Sequence, residues 1–315
     1  MIMPTSTKHD AGANTSDDYF IGFVELWLPN EESTELIRVA AISTKSRQAA
    51  SSIEQQARVG PGEGIAGAAW NQKSAIVFDA ETSRLLNQFG GDFDQQLGAI
   101  VALPTFRHNE VRGVLVLGLT TSFGAAEVWS RDDRDELGIA AGHYCGLSSF
   151  EFITRYTRFP KGAGVPGAVW NSRRPKITQD LAKNSSFIRS FGNDPAEVSA
   201  AIGLPVGSIG GFPACVVLLL QTVDSPLSRR TEVIDCEIVP ATDTTDERVN
   251  AAFTTVIGRA DAEPCEAWHQ VLTAEVCANC APVVLDANAD SGAEFHVGWP
   301  VFSGNQIESI LGLTF

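Results

Sequence analysis

Gly62-Glu63-Gly64-Ile65-Ala66-Gly67-Ala68-Ala69-Trp70-Asn71 returns one hundred residues later as Gly162-Ala163-Gly164-Val165-Pro166-Gly167-Ala168-Val169-Trp170-Asn171. Six positions are identical and the copies align without a gap. An internal repeat of this kind decides architecture ahead of any local reading. A second element recurs three times after it. Ile100–Pro104 leads to Val114–Leu119, Ala201–Pro205 to Cys215–Leu220, and His296–Pro300 to Ile310–Phe315. These short apolar runs, split by polar turns such as Ser303-Gly304-Asn305-Gln306, read as antiparallel hairpins. Their lack of strict alternation predicts strands covered on both faces. Counted gaplessly from the proline, the three copies put Val111, Phe212 and Ile307 in register, and Gly113, Ala214 and Ser309 at one shared small position.

A further hairpin precedes the first glycine motif: Val24-Glu25-Leu26-Trp27-Leu28-Pro29, then Leu36–Ile42. A cousin of it appears at Cys236–Pro240 and Val249–Val256. No equivalent is legible between residues 122 and 160. There, Ser130-Arg131-Asp132-Asp133-Arg134-Asp135 reads as an N-cap with acids in the first turn. Leu137, Ala140, Ala141, Tyr144, Cys145, Leu147 and Phe150 follow near helical spacing, so a helix is expected over 130–158.

With 315 residues the chain can build two or three cores. The first 17 residues are polar and read as a disordered tail without an export signal. The longest apolar runs are about six to seven residues, against roughly 20 needed to span a bilayer, so no membrane span is expected. Net charge is −15, and residues 223–315 hold 15 acidic and 4 basic side chains. Such a surface repels phosphate backbones and argues against nucleic acid. Six cysteines with no export signal predict reduced thiols in a cytoplasm.

Each glycine copy matches G-x-G-x-x-G, but a dinucleotide site needs a strand directly before it and an acid about 20 residues on. Gln55–Pro61 is no buried strand, and Asp79 comes too early. No G-K-[ST] follows, which removes a phosphate-binding loop.

The order hairpin, glycine-rich helix start, short strand, variable stretch, hairpin resembles the GAF domain, a sensory and regulatory module. The match is most specific at Arg158-Phe159-Pro160-Lys161-Gly162-Ala163-Gly164-Val165-Pro166-Gly167-Ala168-Val169-Trp170, and Glu25–Pro29 is similar to the family's first strand. The resemblance implies an α+β, PAS-related fold of antiparallel sheets flanked by helices, repeated two to three times. It places a tail at 1–17, a full domain at 18–149, a reduced one at 150–228 and a degenerate one at 229–315. The reduced domain is truncated or borrows strands from 231–258. In the last domain Cys277–Asp286 aligns with Trp70–Asp79.

The resemblance further implies a ligand pocket between the sheet and segments 80–97 and 181–199, lined by Trp70, Phe89, Phe93, Trp170, Phe187 and Phe191. The cyclic-nucleotide signature of some members is missing around Phe89–Gln95 and Phe191–Asp194. Function is expected to be non-catalytic regulation through a small-molecule ligand or a signalling partner such as a kinase, with homodimerisation through helix 130–158. A ligand-free scaffold is the first alternative. The second is thiol chemistry or a metal at Cys277-Ala278-Asn279-Cys280, with Cys265, His269 and His296 as further ligand candidates. No catalytic triad is legible, and no cofactor is expected.

Overall fold

The computed structural model describes residues 19–44, 57–79, 97–181, 187, 189, 198–207, 213–239, 248–258, 266–287, 294–303 and 306–315. The first module holds β1 (Ile21–Pro29), β2 (Leu36–Ser43), β3 (Arg58–Val59), α1 (Gly64–Gln72), β4 (Ile76–Asp79), β5 (Leu97–Arg107) and β6 (Glu110–Thr120). The second holds β7 (Gly124–Arg131), β8 (Leu137–Cys145), α2 (Ser148–Tyr156), β9 (Arg158–Phe159), α3 (Gly164–Ser172), β10 (Lys176–Thr178), β11 (Val198–Val206) and β12 (Cys215–Thr222). The third holds β13 (Arg230–Val239), β14 (Arg248–Gly258), α4 (Glu266–Asn279), β15 (Val283–Ala287), β16 (Glu294–Ser303) and β17 (Gln306–Thr314).

Each module forms one antiparallel sheet, and the strand orders match. They run β3-β2-β1-β6-β5-β4, then β9-β8-β7-β12-β11-β10, then β14-β13-β17-β16-β15. The second opening hairpin therefore exists, as β7 and β8, which pair from Arg131↔Leu137 to Gly124↔Cys145. The helix expected over 130–158 is absent except for α2. Ser130-to-Asp135 is the turn of that hairpin, in which Asp132 Oδ1 accepts from the backbone N–H of Arg134 and Glu136. The second sheet thus begins at Gly124, ahead of the boundary expected at residue 149, and needs no strand from 231–258, which pairs in the third sheet.

The glycine motifs have the same backbone cause in both copies. Gly62 and Gly64 sit at φ 87° and 56°, Gly162 and Gly164 at 85° and 59°, where a side chain is strained. The third glycine of each copy lets the helix start press onto the chain before it. A Cβ on Gly67 or Gly167 would collide with the carbonyl oxygen of Gly60 or Pro160. Both helices end in a left-handed cap, Lys73 and Arg173. Cys280, at φ 46°, takes the corresponding place after α4, which agrees with aligning Cys277 to Trp70.

Side chains alternate between two buried environments. On β5, Ile100 and Ala102 face α1, while Ala99, Val101 and Leu103 enter a core common to all three sheets. That common core also takes Val128, Ile202 and Leu219 from the second sheet and Val297, Leu311 and Leu313 from the third. Each sheet is therefore helix-covered on its outer face alone. The other face is covered by its sister sheets, which corrects the expected picture of sheets flanked by helices.

The modules meet in a cycle. Ser74, after α1, donates to Cys215 Sγ on β12 at 3.3 Å. Arg174, after α3, donates to Glu308 on β17 at 2.7 Å. Arg112 on β6 donates to the carbonyl of Cys280, after α4, at 3.0 Å. First contacts second, second contacts third, and third contacts first, always from a helix end to a β-hairpin. Hairpin pairing refines the sequence alignment as well. Gly113 lies opposite Thr105, Cys215 opposite Val206 and Ser309 opposite Val301. The shared position is thus Cys215 rather than Ala214, because the second hairpin carries one extra residue; Phe212 lies outside the described residues.

Gly167→Ala is expected to cost about 1–3 kcal/mol, the usual range for forced overpacking, whereas Ala168→Gly costs at most about 1 kcal/mol. Urea unfolding of the two variants checks the contrast.

Candidate functional site

The outer face of the second sheet carries a buried charge cluster. Alternation along β7 turns Glu127 and Trp129 toward α2 and α3, while Ala126 and Val128 point to the common core. Glu127 is fully buried. Its carboxylate accepts from Trp129 Nε1 at 2.9 Å, Arg189 at 2.5 Å and the Thr154 hydroxyl at 3.3 Å. Arg189 also donates to Thr154 Oγ1 at 2.9 Å. A buried carboxylate is tolerable only with such compensation.

Arg189 is 2% exposed. Its guanidinium carbon lies 4.6 Å from the Phe150 ring centre, 5.2 Å from Trp129, 5.5 Å from Phe159 and 5.6 Å from Phe187. Its Nε is buried with no hydrogen-bond partner. The four ring systems form a cage within cation–π range of the charge. Beside it, burial foremost and then the Glu127 carboxylate push the Tyr144 phenol well above its ordinary value.

The first module repeats part of this arrangement. Glu25 is fully buried and accepts from Trp27 Nε1 at 2.9 Å and from Arg38 at 2.8 Å. Burial raises its carboxyl above the ordinary range, and the Arg38 charge opposes that shift. The partner arginine here comes from β2, not from the segment before the fifth strand. In the third module Glu232 is equally buried, with Arg230 Nε at 3.4 Å, and Ile234 replaces the tryptophan.

Of the six expected pocket residues, Trp170 is buried and shares the second module's outer cluster with Phe187, whose ring stacks on Phe150 at 6.1 Å. Trp70 is half-buried in the first module's outer cluster. Phe89, Phe93 and Phe191 lie outside the described residues. The structure adds Glu127, Trp129, Thr154 and Arg189. Glu127 and Trp129 have a signal in the sequence, Glu25-Leu26-Trp27 recurring as Glu127-Val128-Trp129; Thr154 and Arg189 have none.

The thiols form a second group. Cys277 and Cys236 are half-buried in the third module's outer cluster, and Cys280 Sγ lies 3.4 Å from the Cys277 carbonyl. His296 is buried and paired with Thr314 Oγ1 at 3.0 Å. Cys265 and the His269 side chain lie outside the described residues. Among the described residues, no three His, Cys, Asp or Glu side chains are placed to hold a metal ion.

No helix among the described residues is long and apolar enough to cross a membrane. No family model matches the chain, and no curated protein matches it. Among solved structures, the A. aeolicus nlh2 GAF domain in an inactive state is 23% identical over 31% of this chain, at a TM-score of 0.25. The match spans 57% of that domain's chain. The bacteriophytochrome RpBphP3 from the photosynthetic bacterium R. palustris is 9% identical over 94% of this chain and 83% of its own, at a TM-score of 0.22.

Arg189→Met is expected to destabilise the protein by about 3–5 kcal/mol, because it strands Glu127 in the core. Arg155→Met, which removes an exposed i,i+4 pair with Glu151, is expected to cost under about 0.5 kcal/mol. Denaturant titration of both variants measures the difference.

Proposed function

We propose that this chain is a non-catalytic regulatory protein of three GAF-like modules, cytoplasmic, whose output passes to a signalling partner such as a kinase. The observation that carries this reading is the self-filled outer face of the second module. Where a ligand would lie between sheet and helices, Arg189 already occupies an aromatic cage and neutralises the only acid there among the described residues. A cage that holds its own cation has no need of a diffusible one. The module then serves as a rigid body, and regulation comes from how modules and partners are arranged. α2 gives such a partner an exposed aromatic pair, Phe152 and Tyr156, 63% and 75% exposed with ring centres 5.2 Å apart.

Small-molecule sensing is the second reading, and one feature favours it. β4 packs on β7 and β8, and β10 packs on β13 and β14. At the third junction a cleft of about 650 Å³ opens between β1–β2 and the end of α4. Leu26, Leu28, Val39, Arg112, Pro282 and Val283 line it. That volume lies in the range of small-molecule sites.

Native mass spectrometry of freshly purified protein separates the two. The regulatory reading expects the bare chain mass, alone or in multimers. A retained small molecule that disappears in Val39→Trp would move the assignment to the cleft and to sensing.

A further inference from the structure

We propose that Cys236 and Cys277 are a reversible disulfide site that staples α4 to β13 in the third module. The two residues are far apart in sequence and come from different elements. Cys236 is on β13, opposite Ala251, and Cys277 is in the last turn of α4. Both pack against Ile234, Leu272, Val276, Ile307 and Ile310. The two thiols stand close enough to perturb each other's ionisation, and the Cys236 thiol donates to the Ile234 carbonyl at 3.9 Å. Both side chains are only half-buried, which leaves an oxidant a way in.

The two thiols are shifted in opposite directions. A helix C-terminus disfavours a thiolate at Cys277. The neighbouring Cys236 side chain holds the Cys277 thiol below its ordinary value, against the pull of burial. The neighbouring Cys277 and then burial push Cys236 well above its own. We assign Cys277 the attack and Cys236 the resolution, an order that Cys236→Ser tests.

The oxidant is a low-molecular-weight disulfide. Cys277 Sγ attacks one of its sulfurs, forming a mixed disulfide and expelling one thiolate, which takes up a proton. Cys236, giving its proton to solvent, then attacks Cys277 Sγ and expels the second thiolate. Two protein thiols are oxidised, the small disulfide is reduced to two thiols, and the protein loses two hydrogens. The C-x-x-C spacing is incidental in this scheme. Cys277 stands where the other modules carry Trp70 and Trp170, and Cys280 is the left-handed cap. Cys280 has a separate consequence. Its carbonyl and that of Asn279 accept from Arg112, so a staple on α4 acts on the contact that closes the module cycle.

The test is a non-reducing peptide map of the full chain after incubation with oxidised glutathione. The expected result is a Cys236–Cys277 cross-linked peptide, a mass lower by two hydrogens and a raised melting temperature. Cys280→Ser is expected to keep the cross-link and the shift, while Cys236→Ser is expected to stop at a glutathione adduct on Cys277. A bond from Cys277 to Cys280 or to any other cysteine overturns the proposal, as does a wild-type chain left with free thiols or stable glutathione adducts at these two positions.

Discussion

Strands such as β5 and β6 are apolar on both sides, and neither side reaches water. Ile100 and Val116 meet α1, and Val101 and Leu117 meet the other sheets. A lone module of this kind leaves one whole face exposed, at roughly 25 cal/mol for each Å² of apolar surface. Three copies in a cycle bury all three faces at once. The arrangement has the logic of a closed ring assembled head to tail, with the three protomers joined in one chain. Each interface uses the same parts: a helix end, the strand after it, and the neighbour's last hairpin. Position 113 and its equivalents lie at these seams. Gly113 is small enough for Pro282 to press on it, Cys215 meets Ser74, and Ser309 is fully buried.

The inner faces hold the ring together, and the outer faces differ from module to module. All three keep a fully buried glutamate on the central strand, a costly choice unless its oxygens are paired. The pairing follows the sequence available. Arg38 comes from the neighbouring strand in the first module, Arg189 comes from 62 residues away in the second, and Arg230 sits two residues before Glu232 in the third. The second module spends its outer face on one internal ion pair inside an aromatic cage. The third has thiols there instead. The equivalent surface is thus a structural plug in one module and a chemically reactive place in another.

Much of the fold was legible because backbone geometry left few residue choices. The glycine motifs mark two positive φ angles and one close approach, and glycine alone fits all three. The final hairpins announce themselves through apolar runs that only doubly buried strands tolerate. The hairpin β7–β8 reads as a helix in the sequence because an aspartate-rich β-turn and a helix N-terminus use the same residue types for the same purpose, accepting backbone N–H groups. The repeated Glu-x-Trp triplet outranks that local signal, because it records a tertiary requirement. The site was less legible. Trp170 and Phe187 stand out in the sequence as aromatic candidates, whereas Arg189 and Thr154 reach Glu127 only through folding, as Cys236 reaches the cluster that holds Cys277. No periodicity in the chain encodes those meetings.

One common core shared by three sheets makes the modules interdependent. Differential scanning calorimetry of the full chain under reducing conditions measures this directly. A single transition whose calorimetric and van't Hoff enthalpies agree is the predicted result. Two or three separable transitions, each with its own enthalpy, would show modules that fold alone and would contradict it.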